Sequence, residues 1–275
     1  MGCKEENSYM EQEKETVDYT FGGFKVSQAN LDYLSTRSQA DEATYSLLVV
    51  DVKDGAYVQS VSRIEQPESE ALADVTLPLR VGQHTIYILC SAQPWHNFDE
   101  TSLLVNWNEQ TASLGDVWTA AVTVTVQSGD AQSKAVTLNR AVAYVRTVLN
   151  DALPSNLATF RQTLVGGSWS FNLVQQSGDV AAQVGRTSVV PASYAGLTNV
   201  GVGIYTFVPS GASVANSYTI TALDSDETVM QQLTFTSVPL CVNQYTTYQG
   251  NFFGYGTAFS VVLQTDWLEP KVISF

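Results

Sequence analysis

The sequence predicts an all-β chain built as two β-sandwiches in tandem. Runs of β-branched and aromatic residues recur along most of its length, punctuated by Gly, Pro, Asn and Asp at the roughly 8–12-residue spacing of sandwich folds. No segment keeps a helical apolar period over three turns, and only Asn106 to Leu114 could hold a short helix. A weak internal echo suggests duplication. Leu77-Pro-Leu-Arg-Val-Gly82 precedes the Tyr-bearing strand from His84, and Val208-Pro-Ser-Gly211 precedes the one from Ser217.

Taken in order, residues 4–18 carry six acids against two lysines and no apolar alternation. Such a segment reads as a disordered tether, so residues 1–18 are set apart. The first sandwich is expected over 19–130. Thr44 to Val52 is strand-like and ends at Asp54-Gly55, a hairpin signal, with the next strand from Ala56. Val75 to Leu79 and Gln83 to Ala92 follow. In the latter, Ile86, Ile88 and Cys90 share one face and Thr85, Tyr87 and Leu89 the other, as in a central strand. Val117 to Val126 alternates and stops at Ser128-Gly129-Asp130, where the domain boundary is placed. The second sandwich, 131–275, has strands at 136–149, 159–165, 169–174, 200–208, 217–223, 228–238, 244–251 and 257–263, with a turn at 150–155 and a hairpin tip at 224–227.

Composition narrows the function. The 275 residues carry a net charge of −14, which opposes binding to nucleic acid, whose recognition depends on Lys and Arg neutralising phosphates. No run reaches the ~20 apolar residues of a membrane-spanning helix. Two histidines are too few for a His-rich metal site. His84 heads a strand and is expected to cap or pack. His96 lies beside aromatics and Asp99, yet no nucleophile motif accompanies it. Asp224, Asp226 and Glu227 lack the spacing of a calcium loop and read as a hairpin tip. Cofactor and metal sites are therefore not expected, and neither is an enzyme. Cys90 and Cys241 sit in apolar strand-like surroundings, as two buried free thiols or, less readily, a disulfide. Trp95, Phe98, Trp107 and Trp118 could form a stacking platform for sugar rings, although Trp is more often a core anchor.

The chain start is the most specific feature. Cys3-Lys-Glu-Glu6 at the head of a polar, acidic segment resembles a bacterial lipoprotein after signal-peptide removal, and the acidic export signal of surface lipoproteins of Bacteroidales-type bacteria. Met1-Gly2 would then not belong to the mature protein. N-myristoylation wants Ser or Thr at position 6, where Glu6 stands.

Two segments extend the resemblance: Leu138-Asn-Arg140-Ala-Val142-Ala143, preceded by Asp116-Val-Trp118, and the closing segment from Val242-Asn243 through Thr247 to Gly250-Asn251-Phe252-Phe253. Together with Cys3 they resemble the fimbrillin-associated anchor proteins and related subunits of type V pili. Val242 departs from the family's frequent basic residue before the Asn.

The resemblance implies transthyretin-like sandwiches, an outward-facing outer-membrane lipoprotein and assembly with other fimbrial subunits by strand exchange. It assigns lipidation to Cys3 and a self-filling first strand to Phe24–Leu34. It assigns a donor strand to the tail, where Trp267, Val272, Ile273 and Phe275 would fill pockets, although the tail could instead pair within its own domain. Two alternatives accompany the lipid-anchored base: a pilin activated by cleavage after Arg37, and a glycan-binding surface lipoprotein. A host protein or glycan is a further candidate partner.

Overall fold

A computed structural model describes residues 15–26, 44–53, 57–67, 72–107, 114–212, 214–254 and 259–264. Cys3, Arg37, Asp54-Gly55 and the tail residues Trp267, Val272, Ile273 and Phe275 lie outside them. The described residues are almost wholly strand. They run β1 (Thr16–Val26), β2 (Thr44–Lys53), β3 (Tyr57–Pro67), β4 (Val75–Arg80), β5 (Gly82–Ser91), β6 (Asn97–Asp99), β7 (Leu104–Asn106), β8 (Val117–Val126) and β9 (Gln132–Arg140). Then follow β10 (Val142–Leu149), β11 (Thr159–Gly167), β12 (Ser170–Asn172), β13 (Ser177–Gly178), β14 (Ala182–Val189), β15 (Val200–Phe207), β16 (Val214–Leu223), β17 (Val229–Pro239), β18 (Tyr245–Gly250) and β19 (Phe259–Gln264), with one 3-10 turn at Ala192–Tyr194.

The chain divides into two compact units, Met1–Pro94 with Val117–Arg140 and Trp95–Asp116 with Ala141–Phe275. The division thus falls ten residues later than the turn at 128–130 suggests. The cause is β9, whose Val136 and Leu138 point into the first core. Residues 95–116 also leave the expected first domain, because β7 pairs with β12 of the second unit, Val105 opposite Phe171. Asn106, the proposed start of a helix, ends β7 instead.

The first unit is one sheet, in the order β3-β2-β5-β8-β9-β1-β4, folded over on itself. The fold line is the β8–β9 hairpin. Those strands pair only at Trp118–Arg140 and Thr119–Asn139, while β8 follows β5 and β9 follows β1. One core lies between the halves, with Leu47, Val49, Ile86 and Ile88 from one and Phe21, Leu77, Leu79 and Leu138 from the other. Arg140 is buried with its guanidinium 5.6 Å from the centre of the Trp118 ring. The family-like residues Trp118 and Arg140 therefore meet at the fold line. β5 is central, as its two apolar faces predict.

A buried polar pair sits in this core. His84 Nδ1 lies 2.7 Å from Asp51 Oδ1, and Nε2 donates to the Arg80 carbonyl at 2.6 Å. Because a carbonyl only accepts, Nε2 carries a proton, and one further proton lies on the Nδ1–Oδ1 line. Burial raises the Asp51 carboxyl above the ordinary carboxylate range, opposed by the hydrogen bond and charge of His84 and by Lys53.

The second unit packs sheet β15-β10-β18-β19 on sheet β14-β11-β16-β17, with the small sheet β13-β12-β7-β6 beside them. Leu149, Phe160, Ile220 and Phe252 belong to one core cluster. Phe235 stacks on Tyr248 at 3.8 Å, and Tyr248 lies 6.3 Å from Tyr218. Asn243 turns at φ +61°, a conformation Asn tolerates, and donates its N–H to Val142. Asp151 Oδ2 accepts three successive N–H groups, from Phe252 (2.9 Å), Phe253 (2.5 Å) and Gly254 (3.0 Å). This clamp fixes the chain where it leaves β18 and drives Phe252 fully into the core.

Two outcomes are expected. Asp151→Ala strands those N–H groups and costs ~2–3 kcal/mol, read by urea unfolding. Asp51 holds its proton more tightly in the folded chain than in the unfolded one, where it leaves near pH ~4. The stability this carboxyl contributes is therefore full below that pH and declines as pH rises through its folded-state value. The stability lead of the wild type over Asp51→Asn should shrink as pH rises above ~4, as read by urea unfolding across a pH series.

Candidate functional site

The site of interest is the slot in the first unit that β1 fills. β1 alternates Val17, Tyr19 and Phe21 inward with Thr16 and Asp18 outward. Alternation thus reaches into the acidic segment assigned to the tether, and residues 16–18 are strand. The first described strand is Thr16–Val26, earlier than the expected Phe24–Leu34, whose positions 27–34 lie outside the described residues. Val17, Tyr19 and Phe21 supply the buried face that sets its place, and Tyr19 stacks on Phe21 at 5.0 Å.

β1 lies between two neighbours. It runs antiparallel to β4, Thr16 opposite Arg80 through Phe21 opposite Val75, and parallel to β9, Tyr19 opposite Gln132 onward. Both backbone edges are therefore paired. Burying each of its three inward side chains stabilises the unit by ~1.5–3 kcal/mol. Without β1, the facing edges of β4 and β9 would expose unpaired N–H and C=O groups above an apolar furrow. The outer edge of β4 is a poor alternative, since Pro78 has no N–H to offer a further strand.

Polar contacts pin both ends. At the start, Glu15 Oε2 accepts the Ser128 hydroxyl at 2.6 Å, Oε1 accepts the Gly129 N–H at 3.3 Å, and the Glu15 carbonyl accepts the Val81 N–H at 3.0 Å. In the middle, the Thr20 and Thr76 hydroxyls bond at 2.8 Å. Near the end, Asp74 Oδ1 accepts the Gly23 N–H at 3.1 Å. Gly23 has φ +55°, and the pairing with β9 shifts register between Gly22 and Lys25. Glu15 and Asp74 were not singled out from sequence. The legible signal was Gly22-Gly23 inside an apolar strand, the mark of a bulge.

Other sequence candidates are placed differently. Trp107 and Trp118 are each 3% exposed and belong to separate units. Phe98 is buried and Trp95 half-buried, so these rings do not form an exposed stacking platform. His84 is buried with Asp51, whereas His96 is exposed. Asp224 caps the expected β16–β17 hairpin, its Oδ1 accepting the N–H groups of Asp226 and Thr228, both at 2.9 Å. Among the described residues no group of three His, Cys, Asp or Glu could hold a metal. Cys90 and Cys241 are free thiols, but only Cys90 is buried. Burial pushes its thiol up to about 12, far from nucleophilic use. Cys241 is exposed because it precedes the turn at 242–243 rather than lying within a strand.

Solved structures share the fold. A candidate cell-adhesion protein from Bacteroides ovatus matches with TM-score 0.56 at 11% identity, covering 93% of this chain and 100% of its own. A candidate polysaccharide-binding protein from Bacteroides thetaiotaomicron matches with TM-score 0.52 at 11% identity, over 94% and 98%. The fimbrial anchor protein Mfa2 from Porphyromonas gingivalis matches with TM-score 0.51 at 12% identity, over 92% and 98%. No curated protein matches the chain. The model of the fimbrillin-A associated anchor proteins Mfa1 and Mfa2 matches residues 3–252, and the chain belongs to that family.

Proposed function

We propose that this chain is the lipid-anchored base of a fimbrium, a non-enzymatic surface subunit that donates a strand and accepts none. The observation that carries this reading is the occupied slot: β1 follows directly on the Cys3 segment and is built into the first sandwich along both edges. Removing β1 to admit a neighbour's strand would also remove the segment bearing Cys3. The lipid at that thiol and the filled slot are thus two sides of one constraint. A subunit so held ends the fibre at the outer membrane. Outward growth then depends on the C-terminal tail, in which Trp267, Val272, Ile273 and Phe275 supply the apolar pegs for another subunit's slot.

Two experiments test this. Protein taken from native outer membrane should begin at an acylated Cys3 by mass spectrometry. A start at Ser38 would mean that Arg37 is cut and would make the chain a pilin. Deleting residues 266–275 should abolish capture of partner fimbrial subunits while leaving the thermal midpoint of the first sandwich unchanged. Undiminished capture would sink the donor role.

A further inference from the structure

The slot is more demanding than an apolar furrow between two edges. We infer that it is selective, admitting as occupant only a strand with a glycine pair at the positions of Gly22 and Gly23 and a carboxylate at the position of Glu15, so that this chain's own β1 is retained and a second copy's tail is refused. The inference rests on the reading of the slot as the strand-exchange site.

The glycine requirement has two independent causes. At Gly22 a Cβ would fall on the Asp74 carboxylate, which lies across the strand there. The carboxylate would have to swing away and release the Gly23 N–H that it holds at 3.1 Å. At Gly23 the backbone is left-handed at φ +55°, where an L side chain is strained. The conformation cannot relax to an ordinary strand without losing the register shift that lets Lys25 face Thr137 of β9. At the other end, the Ser128 hydroxyl and the Gly129 N–H both donate to the Glu15 carboxylate at the exposed rim, so a strand without an acceptor there forfeits two hydrogen bonds to the sheet.

The chain contains its own counter-example. The tail Asp266-Trp267-Leu-Glu-Pro-Lys-Val-Ile-Ser-Phe275 has no glycine, and Pro270 lacks an N–H. A strand paired along both edges cannot contain a proline without losing a ladder bond. The tail therefore does not complement the slot of another copy, and the chain does not polymerise with itself head to tail.

The test uses the full chain with a site-specific protease sequence replacing residues 36–41. After cleavage, β1 is challenged with fluorescein-labelled peptides of residues 15–26. The native peptide should enter and stay. The Gly22→Val/Gly23→Val peptide should dissociate on the order of tenfold faster or more, and the Glu15→Gln peptide a few-fold faster. A peptide of residues 265–275 should not enter. Equal dissociation of the native and valine peptides, or stable entry of the tail peptide, overturns the inference.

A second measurement needs no cut. In the intact Asp74→Ala chain, amide hydrogen exchange over residues 19–25 should quicken by about tenfold while β11 and β16 keep their protection. Unchanged exchange in β1 also overturns the inference. Neither assay involves the lipid or the native N terminus, so indiscriminate exchange would remove the selectivity and leave the anchor reading standing, whereas an unacylated native chain would do the reverse.

Discussion

The first sandwich depends on a strand that is local to nothing. β1 sits between β9 and β4, which lie about 115 and 60 residues further along the chain in register terms, since Tyr19 faces both Gln132 and Leu77. Its parallel pairing with β9 cannot be made by a hairpin and closes only after the intervening chain has folded back. Val136 and Leu138 on β9 and Leu77 and Leu79 on β4 share one core with Phe21. Removing β1 would therefore cost both ladders and the centre of that core together. This joint dependence makes the strand suited to a constitutive closure.

The same non-local character explains what the sequence discloses and what it hides. Strands such as β11 and β16 are legible because burial alternates along most of each one, and β5 because both of its faces are apolar. The hairpin at Asp224 is legible because a short polar side chain can satisfy turn amides locally. The start of β1 was hidden by Glu11, Glu13, Glu15 and Asp18, whose charges mask three inward apolar residues. Ser128-Gly129-Asp130 lies between two strands of one compact unit, so a turn signal of this kind does not by itself mark where a unit ends. Which sandwich claims β9 is decided by β1, more than 100 positions away in register. Likewise nothing local marks 95–116 as part of the second unit, since its partner is β12. The apolar neighbours of Cys241 suggested burial, but a thiol at the mouth of a turn is exposed whatever its flanks.

Charged and polar side chains do structural work out of proportion to their number. Only 15% of residues are charged, yet Asp151, Asp74, Glu15 and Asp51 each hold a junction where strand pairing alone leaves amides or register unsettled. Asp151 gives the Gly-Asn-Phe-Phe segment its physical meaning. The carboxylate gathers three amides that no strand could serve, and Phe252 follows them into the core beside Phe160. Trp118 and Arg140 do the same for the other family-like segments, joining the strands at the fold line where the chain passes from one unit to the next.

Apolar burial cannot by itself hold β1 in one register. The hydrophobic effect is non-directional. Sliding a strand by one residue turns its face outward, but sliding it by two returns the same face to the core. On β1 such a slip would move Val17 into the place of Tyr19, or Tyr19 into that of Phe21, at the cost of packing alone. Directional contacts remove this freedom. A bulge at Gly22-Gly23 fits one position only, because Asp74 meets it from the residue before β4 and Thr137 receives Lys25 beyond it. Glu15 adds a stop at the opposite end, against Ser128, Gly129 and Val81. Two stops on one strand leave a single register with every inward side chain seated, held by directional hydrogen bonds at both ends rather than by apolar burial alone.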